Sequence, residues 1–136
     1  MVRSVYYSDQ GSYRRLKRKF RLKKSSEITR VRRIGKSYAL PLIVLITLPS
    51  KLSQSRVAVS AGRSVGNAVQ RNRAKRLLRE ALRPLMPQLI PGWDILVLSR
   101  RATADAAYSE IEAAAQSLLY RAHLLIDTHG TRIPPG

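Results

Sequence analysis

The apolar positions along the chain divide it into six structured segments between a polar opening and a polar tail. SSEITRVRRIG places Ile28, Val31 and Ile34 at helical spacing, with Ser25 or Ser26 available as cap, Glu27 near the positive end and Gly35 as the stop. SYALPLIVLITL (37–48) reads as strand from its aliphatic and β-branched run, and Pro41, which cannot donate to a ladder, predicts a break, bulge or edge. SRVAVSAG (55–62) alternates Val57 and Val59 with Ala58 and Ser60, a second strand, and PSKLSQ between the two has the length of a hairpin connection. A helix follows from about Asn67 to Leu82, ended by Pro84 and Pro87.

PGWDILVLSR (91–100) enters a strand through a Pro-Gly turn, and its ILVL run suits a central position covered on both faces. Thr103 is placed to cap a last, Ala-rich helix over 104–126, with Tyr108, Ile111, Ala115, Leu118, Leu119, Ala122 and Leu125 on one stripe. The order predicts an α+β fold, a two-layer α/β sandwich with helices packed on a small mixed sheet. Organisation follows from the same pattern: a flexible basic arm over 1–22, one domain over 23–127 and a flexible tail over 128–136.

Charge changes this picture from a fold to a surface. The 136 residues carry 26 Lys and Arg against 8 Asp and Glu, a net +18 that attracts nucleic acid first and anionic membrane second. The excess is confined to the arm, the first helix and the stretch 62–83, GRSVGNAVQRNRAKRLLREALR, whereas the C-terminal third holds more acids than cations. At about 100° per residue that stretch separates into two faces. Ala74, Leu77, Leu78, Ala81, Leu82 and Leu85 turn to the core. Asn72, Lys75, Arg76, Arg79 and Arg83 form a stripe flanked by Arg71 and Arg73, running roughly 17 Å at about 1.5 Å per residue, several phosphate spacings long. A merely solvated face mixes signs, but Glu80 is the one acid here, and arginine's planar fork suits phosphate. Gly62 and Gly66 flank the helix start, where free N–H groups favour an anion; no Gly-Lys-Ser/Thr follows, so nucleotide hydrolysis is not indicated.

Catalytic groups do not accompany this surface. The eight carboxylates are scattered, so none of the clusters a metal-dependent nuclease needs is visible, and His123 and His129 read as structural or exposed rather than as an acid–base pair. No metal ligands and no catalytic residues are assigned. Absence of cysteine removes disulfides and thiolate chemistry and fits a reducing cytoplasm. No apolar run approaches the roughly 18 residues of a membrane span, so a soluble, cytoplasmic protein without membrane contact or obligate protein partner is expected. The arm shares its arginine content with organellar transit peptides, but its first third is only weakly basic, so a disordered basic arm is the preferred reading.

The spacing of Arg63, Gly66, Ala68-Val69, Arg71-Asn72, Lys75-Arg76 and Arg79 resembles the RNR motif of the bacterial ribonuclease P protein family, with every fixed position matched. RLKKSSEITRVRRIGKS (21–37) is similar to that family's first helix and its glycine stop, and the likeness extends over about 21–125. The resemblance implies an αβββαβα topology with an unusual left-handed crossover around the motif helix. It implies a subunit that binds the catalytic ribonuclease P RNA and the 5′ leader of precursor tRNA, and that assists endonucleolytic removal of the leader. It further implies that the RNA carries out the phosphodiester hydrolysis, with Mg²⁺ bound by the RNA. Carried over by position, Arg71, Asn72, Arg73, Arg76 and Arg79 face the RNA subunit, and with Arg63, Asn67, Lys75 and Arg83 of the same basic stretch they make up the expected RNA-binding surface; Ile28, Arg32, Tyr38, Ile46, Lys75 and Arg79 are expected in a leader-binding cleft between the first helix and the sheet.

Two departures from the family stand out. Its aromatic residues on the first helix are here Ile28 and Arg32, which leaves arginine or Tyr38 to stack on a base, and Pro84 predicts a motif helix shortened or kinked near Leu82. The competing reading of the charge is a non-catalytic structural RNA-binding protein of the ribosomal-protein or RNA-chaperone kind.

Overall fold

Strand order is the feature that the linear pattern leaves most open, and it decides where every other element goes. In the structure, a computed structural model that describes residues 21–126, four strands form one sheet in the order β1-β2-β4-β3. They are β1 (Lys36–Ala39), β2 (Ile43–Pro49), β3 (Arg56–Ser60) and β4 (Trp93–Ser99). Three α-helices accompany them: α1 (Ser25–Ile34), α2 (Ala68–Leu82) and α3 (Tyr108–Arg121). The chain order is therefore αβββαβα, and the sheet is mixed: β2 runs antiparallel to β1 and β4, whereas β3 runs parallel to β4. The tail expected over 128–136 lies outside the described residues, as does the expected arm except for its last two residues, Arg21 and Leu22.

The run at 37–48 is two strands rather than one interrupted strand. Pro41 sits in the tight connection, where Leu40 N–H donates to Ile43 O at 2.9 Å and no donor is needed from the proline. The next connection was expected to close a second hairpin and does not. β4 lies between β2 and β3, because its Ile95, Leu96 and Val97 are apolar on both faces and are fully buried only at the centre. The 50–55 segment instead crosses the end of β4. There Ser50 N–H donates to Gly92 O at 2.7 Å, and Ser55 Oγ donates to Ile90 O at 2.6 Å while accepting from Trp93 N–H at 3.0 Å.

Alternation along the strands sorts two cores. Ile43, Leu45, Val57, Ile95 and Val97 face α2 and α3, meeting Leu78, Leu82, Ile111, Leu118 and Leu119. Ile46, Ala58 and Leu96 face the opposite way, where α1 covers them with Val31, assisted by Leu22. α1 is capped by Lys24, whose carbonyl accepts from Ile28 N–H at 3.0 Å, and no serine side chain caps it. Only Val31 of this helix is buried; Ile34, expected in the core, is 51% exposed because the chain reverses at Gly35 directly into β1. Gly35 is required by proximity: a Cβ there would lie 2.5 Å from Val31 O and 2.6 Å from Ile46 Cγ2.

α2 ends at Leu82, and a 3₁₀ segment over Arg83–Gln88 carries Pro84 in its first turn, the shortening expected from that proline. Thr103 does not cap the last helix. Its hydroxyl accepts from Arg100 N–H at 2.8 Å and donates to Leu42 O at 2.6 Å, fastening a separate 3₁₀ turn to the β1–β2 connection. α3 begins after Ala107, whose N–H is taken by Glu110 Oε1 at 3.0 Å, and Tyr108 is exposed rather than part of the buried stripe. The helix also stops earlier than the apolar pattern suggested. His123 adopts φ 61°, and Leu124 and Leu125 continue as extended chain beside residues 88–90.

Candidate nucleic-acid interface

α2 is oriented by its apolar face and by its start. Asn67 caps it reciprocally with Gln70: Gln70 N–H donates to Asn67 Oδ1 and Asn67 N–H to Gln70 Oε1, both at 2.9 Å. Gly66 precedes this box at φ 142°, a conformation only glycine takes without strain. Asn67, expected to contact RNA, is thus first a helix cap, and the exposed Arg63 sits in the short turn before it. Ala74, Leu78, Ala81 and Leu82 are buried against the sheet and α3, which turns Asn72, Arg73 and Arg76 outward into solvent and leaves Arg71, Lys75 and Arg79 half-buried along the flanks. Arg73 is steadied by donation from Nε to Ala104 O at 3.0 Å.

Arg83 departs from the expected stripe. It is 2% exposed although its backbone keeps helical dihedrals and its N–H still donates to Arg79 O, so this side chain is covered without leaving the helical phase. The outward stripe therefore ends at Arg79.

A cleft of about 420 Å³ opens beside α2 at the β3 edge of the sheet, lined by Arg21, Leu22, Lys23, Ile28, Val57, Ala58, Val59 and Arg79. Its floor is aliphatic and its rim carries three cations. Residues 21–22 close one side by pairing with the free edge of β3, where Leu22 N–H donates to Val57 O at 2.9 Å. Of the residues expected in a leader cleft, Ile28 and Arg79 line it. Arg32 is exposed on α1, and Lys75 lies one turn from Arg79 without lining the cavity. Ile46 is 6% exposed and covered by α1. Tyr38 is at the opposite edge of the sheet, on β1, where strand alternation pairs it with Leu45 and turns it to the α2–α3 core. Lys36 Nζ rests 5.4 Å from its ring centroid, so Tyr38 is not available to the cleft.

Next to the cleft lies a cluster that the sequence pattern did not single out. Arg56 Nε donates to Asp94 Oδ1 and Nη2 to Asp94 Oδ2, both at 3.0 Å; Nη1 and Nη2 donate to Glu27 Oε1 and Oε2 at 3.3 and 3.1 Å. Hydrogen bonding from Arg56, stronger than the opposing effect of desolvation, holds the Glu27 carboxyl below the usual glutamate range, and the same two acids hold the guanidinium charge in place. The available signal was compositional: Arg56 is one of two cations in the acid-free stretch 37–62, and a cation in a strand otherwise committed to the core needs acids from elsewhere. Both carboxylates are thereby engaged. Among the described residues no group of three or more His, Asp or Glu gathers to hold a metal ion, and the donors present do not fit one. Nor, among those residues, is any helix long and apolar enough to cross a membrane.

The chain matches the family model Ribonuclease P over residues 16–123. It is 38% identical to the ribonuclease P protein component of Roseiflexus sp. (strain RS-1) over 81% of this chain and 91% of that protein. Identity is 41% to that of Dehalococcoides mccartyi (strain CBDB1), over 83% and 92%. Among solved structures it is similar to the RNase P protein of Staphylococcus aureus, with a TM-score of 0.71 and 28% identity over 78% of this chain and 97% of that one. The RNase P protein of Thermotoga maritima gives 0.67 and 25% over 74% and 96%.

Proposed function

The chain belongs to the ribonuclease P protein family and serves as the protein subunit of that enzyme, and we propose that it does so by holding two RNAs with two adjoining surfaces. The outward stripe of α2, with Arg63, Arg71, Asn72, Arg73, Lys75, Arg76 and Arg79, tracks the backbone of the ribonuclease P RNA. The cleft at the β3 edge takes the single-stranded 5′ leader of precursor tRNA. The observation that carries this reading is the shared residue Arg79, which stands on the cationic helix and lines the cleft, so that an RNA on one surface is contiguous with a strand in the other.

Each surface suits its ligand chemically. Phosphates meet the arginine forks of α2, and base faces meet the aliphatic floor of Leu22, Ile28, Val57 and Val59 while Arg21, Lys23 and Arg79 neutralise the leader's phosphates. With Ile28 where an aromatic ring would stack, base recognition in this chain is by apolar contact, sequence-tolerant and weaker per base.

We assign the hydrolysis to the RNA, and the Mg²⁺ it uses to RNA phosphates. The two carboxylates of the cluster beside the cleft, Glu27 and Asp94, are both held by Arg56. The protein then contributes binding and orientation in the cytoplasm, where precursor tRNA is processed. The test is reconstitution: the isolated protein leaves precursor tRNA intact, and restores correct 5′ cleavage by its RNA subunit at Mg²⁺ concentrations at which the RNA alone is inactive. Cleavage by the protein alone, or no stimulation of a competent RNA, overturns the reading.

A further inference from the structure

The Arg56 cluster stands one residue from both walls of the cleft. Glu27 precedes Ile28 on α1, and Arg56 precedes Val57 on β3. Two contacts to Asp94 fix the guanidinium plane to the sheet, and its outer edge grips both oxygens of Glu27. At the other end of α1, Gly35 presses against Ile46 and Thr47 with no room for a methyl group. Between those ends Val31 is the one fully buried side chain of the helix. α1 is therefore a lever seated at its C-terminal end on β2 and tethered near its N-terminal end by one ion pair.

We propose that Arg56 is a positioning residue for the leader: acting through Glu27, it sets the separation between Ile28 and the Val57–Val59 wall and so the fit of a leader base in the cleft. The inference rests on reading the cleft as the leader site. It concerns a residue outside the stripe and outside the cavity lining, whose side chain touches no substrate.

Arg56→Ala is a poor probe, because it strands Asp94, whose side chain is 11% exposed, as an unpaired buried acid. Glu27→Ala is the better one, since Glu27 is 36% exposed and its removal leaves the Arg56–Asp94 pair intact. The measurement is KM and kcat of the reconstituted holoenzyme on precursor tRNA, with Kd for precursor and for leaderless tRNA. In the Glu27→Ala holoenzyme the preference for the leader-bearing RNA falls about fivefold. The loss appears in KM rather than kcat, and Glu27→Asp, which keeps the carboxylate one methylene short, is intermediate.

An unchanged preference in Glu27→Ala overturns the inference. So does an equal loss for leader-bearing and leaderless RNA, the result expected of general damage to the fold. If the unaltered holoenzyme itself shows no preference for the leader, it is the assignment of the cleft that fails.

Discussion

Among the cations at α2 and its end, burial separates those that face solvent from those that are packed inside. Arg76 is exposed on the outer face, whereas Arg83, drawn as its neighbour by the helical wheel, is 2% exposed. Their replacements should therefore diverge. Arg76→Ala should weaken RNA binding and lower the slope of log K against log salt by about 0.7 to 0.9 for the lost phosphate contact, with little change in melting. Arg83→Ala should leave that slope as it is and cost about 2 kcal/mol or more of stability through lost packing. A salt titration and a thermal melt on each variant check both halves, and a reduced slope in Arg83→Ala would put that side chain back on the surface. The wheel identified the residues of the stripe up to Arg79 because α2 is regular that far. It failed at Arg83, which keeps helical backbone geometry, because a wheel gives the phase of a residue and not what packs over it at the end of a helix. Tyr38 was misplaced for a related reason: closeness in sequence says nothing about which edge of the sheet a strand occupies.

Elements were legible where a segment's own pattern decides its structure, and not where pairing between distant segments does. The ILVL run marks β4 as central, and Asn67 and Gln70 form the helix start from local chemistry alone. That β4 would separate β2 from β3 depends on the crossover through α2, which no local pattern contains. The role of Glu27 was half visible. As an acid in the first turn of α1 it suits the helix dipole, but its partner is 29 residues away. This element-to-sheet tether carries a pH dependence with a definite sign. Because Arg56 depresses the Glu27 pKa in the folded protein below the ordinary 4.5, its stabilisation is present above that value and is lost as pH falls through the lower folded value. Partial exposure keeps it small, about 0.5 to 1 kcal/mol. The stability difference between the unaltered protein and Glu27→Ala should therefore hold between pH 7 and 5 and shrink in more acid solution; a difference that grew on acidification would exclude the tether as its source.

At the scale of the whole molecule, composition announced a polyanion partner before any element was placed, and what remained hidden was how the charge is arranged. A net +18 on 136 residues repels itself, yet the fold cannot relieve that by pairing when 8 acids face 26 cations and two of the acids converge on Arg56 alone. Bound anions should then add to stability, and the free protein should answer to multivalent anions more than to ionic strength. By mass action, sulfate at about 100 times its dissociation constant adds roughly 2.7 kcal/mol, a rise in melting temperature on the order of 10 °C for a domain of this size. Sodium chloride at equal ionic strength screens the repulsion without occupying a site, so its effect should be the smaller one. The α2 stripe supplies the internal control. If it is where anions dock, Arg76→Ala should diminish the sulfate increment and leave the chloride increment alone. Equal increments from the two salts would instead mean that the charge acts only as a diffuse field, with no seat for a phosphate on the folded surface.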